Sequence, residues 1–186
     1  MRFNLPIALT WVRILAIPLV AVVFFWHAPW SRPVAGLLFA LAGITDYLDG
    51  YLARRLGLTS SFGAFLDPVA DKLIVATALV LLVQADPRMV LAIAAAIIIG
   101  REITVSALRE WMSQIGARAH VAVSFFGKWK TTLQIIGITL MLYREPVLGW
   151  PIYAAGEWLL YAAVALTVWS MIDYLRAARP AIEASD

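Results

Sequence analysis

Two short stretches that place acidic residues inside apolar sequence decide the fold. Residues 45–54 read Thr-Asp-Tyr-Leu-Asp-Gly-Tyr-Leu-Ala-Arg, and residues 63–72 read Gly-Ala-Phe-Leu-Asp-Pro-Val-Ala-Asp-Lys. Each lies in or at the end of an apolar segment close to the roughly 20 residues that cross a membrane as a helix. A charge at membrane depth is costly, so such residues usually pair, line a wet cavity or take part in chemistry. The candidate site residues are therefore the four carboxylates Asp46, Asp49, Asp67 and Asp71.

The composition around these stretches excludes an ordinary soluble domain. The chain has 186 residues, of which 62% are hydrophobic and only 15% charged, with a mean hydropathy of +0.83. A soluble domain of this length needs more charge to cover its surface, so the surface is expected to face lipid. The chain has no cysteine, which excludes disulfides and thiolate metal ligands. A net charge of +3 does not by itself indicate nucleic acid.

Six apolar segments, separated by short polar or proline-bearing breaks, predict an all-α fold. Each segment is near the length of a transmembrane helix, and we expect one polytopic integral membrane domain that spans residues 1–186. No internal repeat or low-complexity linker interrupts it. The predicted spans are residues 5–26, 33–52, 64–83, 89–108, 121–143 and 151–175.

The arginines predict how this domain is oriented. Six spans put both termini on one side, and that side carries most of the arginines near its loops and ends: Arg2, Arg54, Arg55, Arg109, Arg118, Arg176 and Arg179. The other side carries three: Arg32, Arg88 and Arg144. Because cytoplasmic loops are enriched in Lys and Arg, we expect the termini and the aspartates of this multi-pass protein to face the cytoplasm.

The spacing of the aspartates predicts a metal site. Asp46 and Asp49 are three residues apart and Asp67 and Asp71 four apart, so each pair shares one helix face. Four carboxylates brought together repel one another unless they are protonated or bridged by cations. Oxygen ligands suit Mg²⁺, Mn²⁺ or Ca²⁺ rather than zinc. Two such ions form the clamp that many enzymes use for displacement at phosphorus.

Small residues and one cation beside the aspartates favour a nucleotide diphosphate as the ligand. Gly50 and Ala53 lie on nearly the same face as Asp46, and Gly63 precedes Asp67 by one turn, which leaves room beside the metals. Arg54 can contact a phosphate with its planar guanidinium. Close helix packing is an alternative role for the small residues.

The complete pattern resembles the signature of the CDP-alcohol phosphotransferases. This signature reads D-x-x-D-G-x-x-A-R, eight residues, then G-x-x-x-D-x-x-x-D, and all its fixed positions are present: Asp46, Asp49, Gly50, Ala53, Arg54, Gly63, Asp67 and Asp71. The resemblance implies that the first three aspartates bind metal, and that Asp71 also acts as the base on the acceptor hydroxyl. It further implies six transmembrane helices and a homodimer.

Two basic stretches in the second half are candidates for binding the acceptor. Arg101, Glu102 and Arg109 lie on neighbouring parts of one helix face, and Lys128 and Lys130 begin a later apolar segment. Such cations can hold the phosphate of a polar acceptor. The lysines point about 200° apart on a helix, so Lys128 is the preferred ligand and Lys130 has snorkelling to the interface as an alternative. Arg101 and Glu102 can also simply neutralise each other.

The resemblance extends over most of the chain and favours one branch of the family. Residues 4–13, 63–72, 101–112 and 127–132 are similar to bacterial members that use CDP-diacylglycerol and sn-glycerol 3-phosphate and release CMP. The resemblance therefore implies phosphatidyl transfer to glycerol 3-phosphate with Mg²⁺ or Mn²⁺, by a multi-pass protein of the bacterial inner membrane. Two alternatives stay open: a sister enzyme whose acceptor is serine, inositol phosphate or phosphatidylglycerol, and a cation transporter, since membrane carboxylates also mark ion paths.

Overall fold

The computed structural model describes the backbone of residues 5–56, 61–114 and 125–183, and the side chains of residues 10–45, 65–114 and 129–176. In these ranges the chain forms six helices and no β-strand, which confirms the prediction of an all-α fold. Each helix covers one predicted apolar segment. The helices are α1 (Leu5–Phe25), α2 (Ser31–Leu56), α3 (Ser61–Ala85), α4 (Met89–Gln114), α5 (Phe125–Tyr143) and α6 (Ile152–Glu183).

The connections α1–α2, α3–α4 and α5–α6 lie at one end of the bundle. The α3–α4 loop is tied to the start of α6, because Arg88 bonds Glu157 at 2.7 Å and Tyr153 donates to Asp86 at 2.7 Å. Arg88 also pairs with Asp86 at 2.6 Å, and this bond lowers the pKa of the Asp86 carboxyl. Arg144, in the α5–α6 connection, lies over the ring of Tyr153.

The start of α2 reaches this same end, which we call the clamped end. A Cβ built on Gly36 would lie 2.8 Å from the backbone nitrogen of Tyr143, so the first turns of α2 contact the end of α5. The arginines Arg32, Arg88 and Arg144 thus lie at one end, as the sequence predicts. The aspartates of α2 and α3 lie toward the opposite end of their helices.

The distribution of apolar side chains differs from that of a soluble bundle. In the described part of the chain, Met89–Gln114 and Ile152–Arg176 are long and apolar enough to cross a membrane, and only 28% and 22% of their apolar windows are buried inside the protein. A core helix of a soluble protein would bury most of such a window. Large side chains such as Val80, Ile103 and Trp169 point outward instead. The outer surface therefore requires an apolar neighbour.

Two glycines allow α5 and α6 to approach closely. A Cβ on Gly156 would lie 2.7 Å from the carbonyl oxygen of Gly137 and 2.9 Å from the Cβ of Leu140. A Cβ on Gly137 would lie 2.8 Å from the carbonyl oxygen of Gly156. Small residues at helix crossings let backbones pack closely in membranes. This contact fixes α5, which also packs against α2 and carries part of the candidate site.

We expect Gly156→Ala to destabilise the protein by about 2 kcal/mol, because the added methyl group overlaps backbone atoms that cannot move independently. Thermal unfolding in detergent measures the change. Gly100→Ala on α4 is the matched control: nothing lies within 4 Å of its Cβ position, so it should leave the unfolding temperature unchanged or slightly raised. Equal unfolding temperatures for the two variants would contradict the close crossing.

Candidate active site

Helix α1 holds both aspartates of α3. Thr10 donates a hydrogen bond to Asp67 through its hydroxyl, and Arg13 forms an ion pair with Asp71 at 2.7 Å. The donors are three residues apart on α1 and the acceptors four apart on α3, so each pair lies on one face of its helix. The side chain of Arg13 is 1% exposed, whereas that of Asp71 is 42% exposed. The arginine is thus inside the protein and presents a carboxylate that remains accessible.

Asp71 lies on the wall of a cavity of about 240 Å³ between α1, α2, α3, α4 and α5. Its wall combines apolar side chains of α2 and α3 with a few polar groups. The polar residues of the wall are Arg13, Asp71, Lys72, Glu102, Thr131 and Gln134. Since the pockets that bind drug-sized ligands measure roughly 300–1,000 Å³, this smaller cavity suits a small polar molecule. It is too small for two acyl chains.

Glu102 binds two cations on the far side of this cavity. Its Oε1 accepts hydrogen bonds from Arg101 and from Lys130, each at 2.9 Å. Neighbouring charges on α4 are thereby neutralised within the protein, as the alternative reading of Arg101 and Glu102 predicts. Lys130 is 2% exposed. The alternative that Lys130 snorkels to the interface is therefore wrong, because its ammonium is bound to a carboxylate in the interior.

The other predicted acceptor residues lie elsewhere. Arg109 is exposed and does not belong to the cavity wall; it donates to the Tyr174 hydroxyl at 3.2 Å and lies over that ring. The side chain of Lys128 lies outside the described residues. Lys72 donates to the carbonyl oxygen of Pro68 at 3.0 Å while lining the cavity. The structure thus brings Asp71 and Glu102 to the same cavity but places the guanidinium of Arg109 away from it.

The first half of the predicted aspartate site is described by its backbone alone. The α2 positions belong to the last turns of that helix, and Gly63 belongs to the first turn of α3. The side chains that lie outside the described residues are those of Asp46, Asp49, Gly50, Ala53, Arg54 and Gly63. Among the side chains that are described, no three acidic or histidine residues group together as metal ligands. Asp67 and Asp71 supply the oxygen donors that Mg²⁺ prefers, so the described half fits the predicted metal.

Three polar residues of the site were not among the site residues predicted from the sequence. Thr10 and Arg13 contact the aspartates, and Gln134 lines the cavity with 3% of its surface exposed. A signal for Arg13 was available, because an arginine in the middle of an apolar helix requires a partner. Gln134 had a weaker signal: it is one turn after Thr131, on the same face of α5.

An accessible carboxylate, held by a buried arginine on the wall of a small polar cavity in an apolar helical bundle, defines a candidate catalytic centre for a polar substrate. The family model described as CDP-alcohol phosphatidyltransferase matches residues 3–169. The chain belongs to this family, as the aspartate signature predicts.

Curated relatives are similar over almost their whole length. Proteins of Salmonella typhimurium and Haemophilus influenzae are each 48% identical to the chain, and one of Escherichia coli K12 is 47% identical. Each alignment covers 96% of this chain, and 97%, 95% and 97% of the relatives. All three bear the name CDP-diacylglycerol–glycerol-3-phosphate 3-phosphatidyltransferase.

We expect Glu102→Gln to destabilise the protein more than Lys130→Met does. Glu102→Gln leaves two neighbouring cations without a carboxylate, at a cost of about 3 kcal/mol. Lys130→Met leaves Glu102 paired with Arg101 and removes a buried charge, so its cost should be about 1 kcal/mol. Denaturant unfolding in detergent measures both, with the exposed Glu110→Gln as control. A larger loss for Lys130→Met would show that the lysine, not the carboxylate, holds the cluster together.

Proposed function

We propose that the chain is an integral membrane enzyme that transfers the phosphatidyl group of CDP-diacylglycerol to sn-glycerol 3-phosphate. The products are phosphatidylglycerol phosphate and CMP, in the biosynthesis of phosphatidylglycerol and cardiolipin. The observation that carries the proposal is Asp71, an accessible carboxylate of the signature on the wall of a small polar cavity. The relatives that align with nearly the whole chain bear the name of this reaction.

We propose that all six helices cross the cytoplasmic membrane and that the aspartates face the cytoplasm. The outward-facing apolar side chains support insertion in lipid. The arginine bias of the sequence supports the orientation, since the clamped end contains only three of the loop arginines. The acyl chains of the donor lipid would then remain between helices and bilayer while its headgroup enters at the aspartates. A homodimer stays a prediction of the family resemblance.

The residues that would hold Mg²⁺ or Mn²⁺, in two sites, are Asp46, Asp49, Asp67 and Asp71. When bound, such ions neutralise charge that develops on the departing CMP. Thr10 orients the Asp67 carboxylate by donating to its Oδ1. As the family resemblance implies, Gly50, Ala53 and Gly63 would leave space for the CDP group, and Arg54 would contact its phosphate.

Asp71 is the base in this proposal. It accepts the proton of the glycerol 1-hydroxyl, whose oxygen attacks the lipid-side phosphorus, and Arg13 fixes the carboxylate for that transfer. The acceptor phosphate is held by Arg101, Lys128 and Lys130, which lowers the entropic cost of bringing it to the donor. For Arg101 and Lys130 this requires sharing with Glu102, their partner in the structure. Arg109, which the sequence also assigned to this phosphate, is left out because it contacts Tyr174 away from the cavity.

CMP release by detergent-solubilised protein tests the proposal. With CDP-diacylglycerol and Mg²⁺ we expect release upon addition of sn-glycerol 3-phosphate, and none with serine or inositol phosphate. Asp71→Asn should lower this rate at least a thousandfold, because the acceptor proton then has no base at hand. The exposed Asp173→Asn on α6 is the matched control and should retain the rate.

Other outcomes would point to the alternative functions. Release with a different alcohol would keep the aspartate chemistry and replace the acceptor. Wild-type activity in Asp71→Asn would remove Asp71 from the reaction. No release from folded protein with any acceptor, together with cation flux in liposomes, would favour the transporter.

We expect Thr10→Val to raise the Mg²⁺ concentration needed for half-maximal activity by about tenfold. Residues that orient a metal ligand commonly contribute 10–100-fold to metal affinity, and this isosteric change removes only the hydroxyl bound to Asp67. A Mg²⁺ titration of CMP release measures the shift. Thr139→Val on α5, outside the cavity wall, is the control. An unchanged Mg²⁺ dependence for Thr10→Val would contradict the role given to Thr10.

A further inference from the structure

Gln134 carries a buried polar atom that the proposed chemistry does not use. The residue lies in the middle of α5, its surface is 3% exposed, and it belongs to the cavity wall. Its side-chain oxygen Oε1 accepts no hydrogen bond from the described residues. Buried polar atoms in folded proteins nearly always have a partner, and leaving one without a partner is costly. Such an atom beside a cavity indicates a ligand that donates a hydrogen bond.

The charged groups of the same wall are already engaged. Arg13 is paired with Asp71, Glu102 binds Arg101 and Lys130, and Lys72 donates to a backbone carbonyl. Gln134 therefore offers a neutral acceptor among these pairs. A neutral carbonyl oxygen is a poor partner for a phosphate, which is mostly doubly ionised at neutral pH, but it accepts readily from a hydroxyl.

The cavity that Gln134 shares with Asp71 suits a short polyol rather than a lipid, since its volume is about 240 Å³. If Asp71 takes the proton of the reacting hydroxyl, the neighbouring hydroxyl of the same small molecule lies within this cavity. We propose that Gln134 is a specificity-determining residue whose Oε1 accepts a hydrogen bond from the non-reacting C2 hydroxyl of the acceptor. This inference rests on the proposed function and deepens it, because it names the part of the acceptor that is recognised.

The experiment compares two acceptors that differ by one hydroxyl. They are sn-glycerol 3-phosphate and 3-hydroxypropyl phosphate, which keeps the phosphate and the reacting hydroxyl but lacks the C2 hydroxyl. The wild type should prefer glycerol 3-phosphate by roughly tenfold in kcat/KM, because the analogue offers no hydroxyl to the Oε1 of Gln134 and leaves that atom without a hydrogen bond. Gln134→Leu should lose about tenfold with glycerol 3-phosphate through KM, and little with the analogue, so that its preference falls close to one.

The matched control is Thr139→Val, which also removes a buried oxygen without a partner in the described part of α5 but lies outside the cavity wall. It should keep the wild-type preference. Gln134→Met, with an unbranched side chain of nearly the same length, provides the same readout if leucine disturbs the packing.

The outcomes separate this inference from the function on which it rests. An active wild type whose preference is unchanged in both Gln134 variants would overturn the inference and leave the proposed function standing. The same holds if the wild type uses both acceptors equally well. No turnover of either acceptor by the wild type would overturn the proposed function and the role of Gln134 together.

Discussion

The ion pair between Arg13 and Asp71 is the interaction on which the site depends. A guanidinium buried inside an apolar bundle needs a carboxylate, and the partner of Arg13 lies 58 residues further along the chain. This requirement fixes α1 against α3, and one turn earlier the Thr10 hydroxyl meets Asp67 in the same register. Sliding one helix against the other by a turn would break this double register, since the two donors on α1 could no longer meet both carboxylates of α3. The geometry of the aspartates on α3 therefore follows from one buried charge on α1.

On the far side of the cavity, charged groups are also paired, but here one carboxylate, Glu102, serves more than one cation. Here one carboxylate lies between two cations, Arg101 and Lys130, so the cluster of three carries a net positive charge. The bond of Glu102 to Lys130 joins α4 to α5, whereas its bond to Arg101 stays within α4. A site that must hold an anionic acceptor close to several carboxylates needs excess positive charge beside them, and this cluster supplies it without exposing an unpaired lysine to the apolar core.

The sequence predicted the six helices and the shared face of Asp67 and Asp71 because both follow from local constraints. Apolar segments of spanning length predict helices, and spacings of three and four residues place Asp67 and Asp71 on one face. The partners of these residues depend on which helices pack together. A single sequence does not tell which helix faces Arg13 or Gln134. The prediction for Lys130 illustrates the limit: its position near the start of an apolar segment fits an interfacial lysine, and only the neighbouring α4 reveals a buried ion pair. Arg109 likewise contacts Tyr174 of α6 and lies outside the cavity wall.

The contacts that stabilise the bundle lie mainly at the clamped end, whereas the candidate site lies toward the other end. At the clamped end, Arg88 joins the α3–α4 loop to α6 through short bonds to Asp86 and Glu157, and glycines hold α2 on α5 and α5 on α6 at backbone contact. These contacts require no ligand, so the helices are fixed at that end whether or not substrate is present. Toward the other end, α1–α5 line a cavity in whose wall the Oε1 of Gln134 accepts no hydrogen bond from the described residues. Rigid support at one end thus permits an open, polar site at the other, because the clamped end fixes the helices while the bonds of Thr10 and Arg13 orient the carboxylates of α3.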